Sequence, residues 1–186
     1  MKYKKYVARI DWDNINKILI IGGTGMGKST LADNLGCQLN MPVYHLDAIH
    51  FKENWQERDV EERDNIIDQK IDESKWILDG LYKNTLNKSM EESDLVIILW
   101  FSKFTQLKGI IKRHIKNYKK ERKDIPGCID KLDFKFIRFT LNFKKNNRNI
   151  ICKLLQDSYK NKVIIFRNQI ELNRWYRKKF KSHIKL

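Results

Sequence analysis

Gly22-Gly23-Thr24-Gly25-Met26-Gly27-Lys28-Ser29 is the stretch that decides the fold, and it directly follows an apolar run at residues 17–21. A short run of branched apolar residues that ends in glycines predicts a strand buried on both faces. Residues 28–39 carry apolar or small side chains along one helical stripe, at Leu31, Ala32, Leu35 and Leu39. The stretch therefore joins a strand to a helix, the context in which the pattern G-x-x-x-x-G-K-S forms a phosphate-binding loop.

The chemistry of this phosphate loop follows from its residue types. Glycines let the backbone wrap around an anion, so that N–H groups and the positive end of the helix point inward. We expect Lys28 to reach the β- and γ-phosphates of ATP or another nucleoside triphosphate, and the Ser29 hydroxyl to coordinate Mg²⁺. The residues expected to bind the nucleotide are Gly22, Gly23, Thr24, Gly25, Met26, Gly27, Lys28, Ser29 and Thr30.

Strands and helices alternate along the rest of the chain. Further strands are predicted at residues 42–46, 76–78, 95–100 and 162–166, and helices at 58–74, 104–118, 134–141, 150–155 and 171–181. Alternation of this kind predicts a parallel sheet with helices on both faces. The predicted fold class is therefore α/β, a three-layer αβα P-loop NTPase fold with a five-stranded parallel sheet in the order 2-3-1-4-5.

Two aspartates follow predicted strands, and ligands of open parallel sheets collect beyond the carboxyl ends of the strands. Asp79 follows the third strand and is expected to lie beside the phosphate loop and hold Mg²⁺, directly or through water. Asp47 follows the second strand and is expected to face the phosphoryl acceptor and position or deprotonate its hydroxyl. The alternative is that either carboxylate caps a helix or turn. His45 is predicted on the same strand face as Asp47, either touching substrate or packed in the core.

Charge is divided unevenly along the 186 residues, whose net charge is +15. Residues 1–100 carry 13 Lys and Arg against 17 Asp and Glu, a net of −4, whereas residues 101–186 carry 25 against 6, a net of +19. A positive field of this kind suits a nucleotide, a phosphorylated substrate or a nucleic acid, and the alternative is a solvated basic surface.

The length favours one compact unit, a single kinase-like domain over residues 17–186 preceded by an N-terminal extension at 1–16. Residues 113–130 are highly charged and contain Pro126-Gly127, which predicts a basic loop or lid. No apolar run approaches the roughly 20 residues that span a bilayer, so we expect a cytoplasmic protein without a membrane partner. The cysteines, at Cys37, Cys128 and Cys152, form no C-x-x-C pair and are expected to be reduced and structural.

Four stretches together resemble the DNA topology modulation (FlaR-like) proteins, a branch of the adenylate-kinase-like P-loop proteins. They lie at residues 18–31, Pro42-Val-Tyr-His-Leu-Asp47, Trp76-Ile-Leu-Asp-Gly-Leu-Tyr82 and residues 126–134, which begin Pro-Gly-Cys. The resemblance implies a nucleoside-monophosphate-kinase-like fold and a family name that rests on DNA supercoiling. Similarity to adenylate kinases also implies that Asp79 is the magnesium-side carboxylate and that Arg113 and Arg122 are lid cations.

One departure from adenylate kinases bears on the acceptor. Those enzymes follow the Asp-Gly pair with Phe-Pro-Arg, whereas this chain has Leu81-Tyr82-Lys83, which argues against adenylate kinase specificity. Three functions are compatible with the sequence. The first is a phosphotransferase acting from ATP on a small hydroxyl or phosphate acceptor, for which any nucleic acid binding is weak and non-specific. The second is a nucleic-acid-associated ATP-binding protein that affects DNA topology, and the third is a nucleotide switch without turnover.

Overall fold

Five parallel strands form the central sheet in the computed structural model, which describes residues 11–122, 124–130, 134–154 and 160–180. The strands are β1 (Lys17–Gly22), β2 (Val43–His45), β3 (Trp76–Asp79), β4 (Leu95–Leu99) and β7 (Val163–Phe166). Their spatial order is β2-β3-β1-β4-β7, and every neighbouring pair is parallel. The predicted order 2-3-1-4-5 is confirmed, because β7 is the fifth strand that the sequence predicts.

Helices connect these strands and cover both faces of the sheet. They are α1 (Lys28–Leu39), α2 (Leu46–His50), α3 (Val60–Ile71), α4 (Lys83–Glu92), α5 (Lys103–Lys116), α6 (Phe134–Leu141), α7 (Phe143–Asn146), α8 (Arg148–Leu154) and α9 (Gln169–Phe180). The predicted bounds of α1 and α6 are confirmed, whereas the helix expected at 58–74 is shorter. The sequence did not predict α4, because Leu86 and Met90 are its only apolar residues and form no repeated helical pattern.

The core lies on both sides of β1, because successive side chains of a strand point to opposite faces. Ile18 and Ile20 pack with α1 and α9, in a cluster that contains Leu35 and Tyr176. Leu19 and Ile21 pack on the other face, in a cluster that contains Ile67 of α3 and Met90 of α4. This three-layer arrangement buries β1 on both faces and fixes the position of the phosphate loop at its carboxyl end.

The segment predicted as a loop or lid contains an antiparallel hairpin, which corrects that part of the prediction. β5 (Glu121–Arg122) pairs with β6 (Ile125–Ile129). Ile125 and Cys128 of β6 are buried, and their spacing of three residues hides the alternation by which a strand is recognised. Lys123 and residues 131–133, which belong to the predicted lid or to the 126–134 stretch, lie outside the described residues.

The predicted N-terminal extension divides into two parts. Residues 1–10 lie outside the described residues, whereas residues 11–16 contain a short 3-10 turn at Trp12–Asn14. The ring of Trp12 lies 5.8 Å from the ring of Trp175 and 5.5 Å from that of Phe180. Residues 11–16 therefore pack against α9. Within the described ranges, the structure contains no helix with the length and apolar character to cross a membrane.

Candidate active site

The phosphate loop turns between the end of β1 and the first residue of α1. Gly25 and Gly27 have φ angles of 79° and 85°, in the left-handed region that side chains rarely adopt, so both positions require glycine. Met26 is buried, and the backbone N–H of Gly23 points to its sulfur at 3.2 Å. Thr24 lies in the turn, and Thr30 is an exposed residue of the first turn of α1. The loop is thus shaped by its own backbone and one buried side chain.

Helix α5 braces this loop from behind. A Cβ atom on Gly109 would lie 1.9 Å from the carbonyl oxygen of Gly25, so the helix approaches the loop more closely than any side chain would permit. Gln106 is buried one turn earlier, and its side-chain amide donates to the carbonyl of Thr140. The loop therefore rests on a rigid helix instead of open solvent.

Lys28 and Asp79 meet at the mouth of the loop. β3 pairs with β1, with Asp79 level with Ile20. This register places Oδ1 of Asp79 3.7 Å from Nζ of Lys28. The Asp79 carboxylate is 4% exposed, and although its burial opposes ionisation, the charge of Lys28 and the hydrogen bond with His45 hold its pKa below the ordinary value.

His45 joins this pair to α1. Its Nδ1 lies 3.1 Å from Oδ2 of Asp79, and its Nε2 lies 3.1 Å from Oδ1 of Asp33. Burial alone would lower the pKa of His45, but the hydrogen bond and charge of Asp79, with the charge of Asp33, raise it. Both ring nitrogens of His45 therefore face carboxylates instead of the apolar core. His45 orients Asp79.

The oxygen atoms at this position suit a magnesium ion. Oδ1 of Asp79 is buried and, among the described residues, has no hydrogen-bond partner. Ser29 follows Lys28 in α1, and a hydrogen bond from its hydroxyl is a lesser cause of the lowered pKa of Asp79. Magnesium prefers oxygen ligands and is commonly held by one or two protein groups together with phosphates and water. Within the described ranges no cluster of three or more His, Cys, Asp or Glu residues could hold a metal ion by itself.

A contact that the sequence did not indicate lies on the other side of Ser29. The Ser29 hydroxyl donates to Oδ2 of Asp124 at 3.1 Å, across 95 positions of the chain. Arg122 donates to both oxygens of the same carboxylate, at 3.0 Å from Nε and 2.5 Å from Nη2. Burial opposes ionisation of Asp124, but these bonds with Arg122 bring its pKa to about 2. The hairpin thereby delivers a charged carboxylate to the phosphate loop.

Arg113 and Arg122, the lid cations implied by the resemblance, both carry carboxylate partners. Arg122 is 5% exposed and pairs with Asp124, whereas Nε of Arg113 lies 3.2 Å from Oδ1 of the buried Asp130. Burial and the nearby charge of Arg122 lower the pKa of Arg113. The charge of Asp47 also acts on the pKa of both arginines, raising it.

Asp47 lies in the first turn of α2, which corrects the prediction that it closes a strand. β2 ends at His45, so the argument that His45 and Asp47 share one strand face does not apply. Oδ1 of Asp47 accepts a hydrogen bond from the Tyr82 hydroxyl at 3.3 Å, and Arg63 lies 4.5 Å above the Tyr82 ring. Asp47 is half-buried, so its carboxylate remains accessible beside the Tyr82 ring.

The 3-10 turn Glu53–Trp55 packs against the hairpin. The indole N–H of Trp55 donates to the carbonyl of Ile129 at 2.7 Å, and Arg122 lies 5.6 Å from the Trp55 ring. Arg58 is engaged by the Ile49 carbonyl and by Glu62. Nothing local to Trp55 in the sequence indicates its contact with the hairpin.

Comparison with solved structures identifies the fold. A shikimate kinase from Acinetobacter baumannii in complex with shikimate has a TM-score of 0.54 and 13% identity, over 94% of this chain and 98% of that chain. A shikimate kinase from Bacteroides thetaiotaomicron has a TM-score of 0.52 and 16% identity, over 90% and 99%. A gluconokinase from Sinorhizobium meliloti 1021 has a TM-score of 0.50 and 12% identity, over 82% of each chain.

These likenesses concern the fold, because identities of 12–16% say little about substrates. No protein-family model matches the chain, and no curated protein matches it. The chain therefore has the three-layer fold of P-loop kinases, with a complete phosphate loop at the carboxyl end of its central strand.

Proposed function

We propose that the chain is an ATP- and Mg²⁺-dependent phosphotransferase that acts on a small acceptor. The observation that carries this proposal is the pairing of Lys28 with the buried carboxylate of Asp79 at the mouth of a complete phosphate loop. A cation for the phosphates and an oxygen ligand for the metal then converge on one point. Phosphoryl transfer needs little more from a protein than positioning and electrostatic stabilisation.

On the donor side, the residues have separate tasks. Backbone N–H groups of the loop would bind the β-phosphate, and Lys28 would stabilise the charge that develops between the β- and γ-phosphates. Ser29 and Asp79 would hold Mg²⁺, which supplies charge neutralisation at the same phosphates when bound. His45 would keep Asp79 in its orientation through the bond at Nδ1.

On the acceptor side, Asp47 would receive a hydroxyl. Its second carboxylate oxygen is not used by Tyr82, and the half-buried position leaves it accessible to a small molecule. A carboxylate there would orient the attacking hydroxyl and accept its proton as the bond to phosphorus forms. The structural neighbours, two shikimate kinases and one gluconokinase, support transfer to a small-molecule acceptor.

Residues 113–130 would act as the lid of the single domain at 17–186. The hairpin lies over the site through Arg122 and Asp124, and nucleotide phosphates would compete with the carboxylates for Arg113 and Arg122. Membership of the FlaR-like family is part of the same proposal. Its support is the Pro126-Gly-Cys stretch, in which buried Cys128 bonds to the backbone of the Glu53–Trp55 turn and so holds the hairpin in place.

A phosphoryl-transfer screen tests the proposed function. The full chain would be incubated with γ-labelled ATP, Mg²⁺ and pools of hydroxy acids, sugars, nucleosides and nucleotides, beside the Lys28→Ala variant. We expect label transfer to at least one hydroxylated pool in the native protein and none in the variant. Transfer that persists in Lys28→Ala would show that the phosphate loop is not its source.

A further inference from the structure

Asp124 has a role that neither the phosphate loop nor Asp79 accounts for. The Ser29 hydroxyl has one proton and two lone pairs, and the proton is donated to Oδ2 of Asp124 at 3.1 Å. Because that single proton is donated to Asp124, the Ser29 hydroxyl has only its lone pairs to offer to a second partner. The other acidic neighbour of Ser29 is Asp79, on the side where the oxygen set suits magnesium.

The fold fixes Asp124 in this position. Arg122 donates a hydrogen bond to each carboxylate oxygen of Asp124, whose side chain is one-fifth exposed. The hairpin itself is attached to the turn at Glu53–Trp55 by three hydrogen bonds. They join the Trp55 N–H to Cys128 Sγ at 3.3 Å, the Cys128 thiol to the Lys52 carbonyl at 3.3 Å, and the Trp55 indole to the Ile129 carbonyl at 2.7 Å.

The bond from Ser29 ends on a carboxylate that is itself paired with the Arg122 guanidinium. An ionised carboxylate accepts a hydrogen bond about twice as strongly as a neutral group does. The Ser29 proton is therefore directed to the hairpin side of the site.

We propose that Asp124 is a positioning residue that orients the Ser29 hydroxyl so that its lone pair faces Mg²⁺. The proposal rests on the proposed function, because it assigns Mg²⁺ to Ser29 and Asp79. The alternative is that Asp124 serves only as the counter-ion of Arg122. In that case its removal would change nucleotide affinity equally with and without metal, whereas a positioning role affects only the metal-dependent part.

The test measures ATP affinity by calorimetry in Mg²⁺ and in EDTA, and the readout is the ratio by which Mg²⁺ tightens binding. We expect Asp124→Ala to lower this ratio by about tenfold, the size of one lost hydrogen bond to a charged group. Asp124→Asn retains a neutral acceptor and should fall between the native protein and Asp124→Ala. Glu121→Gln, which removes a charge from an exposed side chain of the same hairpin, should leave the ratio unchanged.

A double-mutant cycle separates the possible outcomes. In the Ser29→Ala background, Asp124→Ala should lower the ratio no further, because the hydroxyl that it orients is gone. A native ratio in Asp124→Ala, or an added loss in the double variant, would overturn the positioning role and leave the proposed function standing. If Mg²⁺ did not change the ATP affinity of the native protein, both the positioning role and the proposed function would be overturned. Circular dichroism would check folding, and Asp124→Asn supplies the result if Asp124→Ala does not fold.

Discussion

Nζ of Lys28 lies 3.7 Å from Oδ1 of Asp79, and that oxygen is buried without a hydrogen-bond partner among the described residues. A buried acceptor left in this way costs about 1–3 kcal/mol unless a ligand completes it. The pair is therefore suited to bind phosphates and a cation, because Lys28 can bind the anion while Asp79 binds the metal.

Asp79→Asn should separate metal binding from nucleotide binding. The amide keeps the size of the side chain but loses the charge, so we expect the Mg²⁺-dependent tightening of ATP to fall by about tenfold or more, with smaller change in EDTA. Asp33→Asn is the matched control, because Asp33 bonds to the other ring nitrogen of His45 and lies in the open. Equal losses with and without metal in Asp79→Asn would show that Asp79 is structural.

Gly109→Ala should damage the phosphate loop from a distance. At an exposed helix position, replacing glycine with alanine would stabilise the folded protein by up to about 1 kcal/mol. Here the new Cβ would lie 1.9 Å from the Gly25 carbonyl oxygen. Overpacking of this kind costs about 1–3 kcal/mol, so the steric effect outweighs helix propensity. We expect a lower free energy of unfolding in urea and weaker ATP binding. Unchanged values for both, with Lys108→Ala as the exposed control on α5, would contradict this packing.

His45 and His50 should titrate on opposite sides of pH 6.5, the ordinary pKa of histidine. Burial opposes a charge on His45 but Asp79 and Asp33 raise its pKa, whereas burial lowers the pKa of His50. Stability from His45 is therefore complete below pH 6.5 and lost as pH rises through the raised pKa. Stability associated with neutral His50 is present above pH 6.5 and lost as pH falls through the lowered pKa.

Imidazole ¹⁵N resonances followed against pH would measure both values directly. His45→Gln should remove the higher titration and His50→Gln the lower one, which assigns the two signals. Indistinguishable midpoints for the two rings would mean that His45 does not lie between two carboxylates in solution.

The sequence predicts the donor half of the site better than the acceptor half, for physical reasons. Local patterns predict the donor half: a glycine turn between a strand and a helix predicts the phosphate loop and α1, and a strand end predicts the place of Asp79. The pairing of β3 with β1 follows from the predicted strand order. The bond from Asp124 to Ser29 joins residues 95 positions apart, within a charged segment that has no periodicity. Asp47 was expected to close a strand because a five-residue helix is too short to show its own pattern.

The strongly positive second half should bind duplex DNA only weakly. The +19 net charge of residues 101–186 provides non-specific attraction, and no groove-reading motif accompanies it in the sequence. The aromatic side chains at positions 134, 136 and 139 lie outside the described side chains, whereas Phe143 is partly buried against the core. Anisotropy titrations should show affinity that falls steeply with salt and nearly disappears at physiological ionic strength.

Submicromolar DNA binding that survives physiological salt and requires ATP would instead make nucleic acid the principal partner. The titration should therefore be run at low and physiological salt, with and without ATP and Mg²⁺. A protein with the same second half and an inactive phosphate loop, Lys28→Ala, is the control for dependence on the nucleotide.

The most direct test of the whole account is calorimetric binding of ATP with Mg²⁺ to the native chain and to Lys28→Ala. Lys28 forms charge-assisted bonds in this scheme, so we predict saturable binding at one site in the native protein and at least a tenfold loss, about 1.4 kcal/mol, in the variant. Lys108→Ala, which removes an exposed lysine from α5, should bind as the native protein does. Undiminished affinity in Lys28→Ala, or no binding to the native chain, would contradict the assignment of residues 22–29 as a nucleotide site.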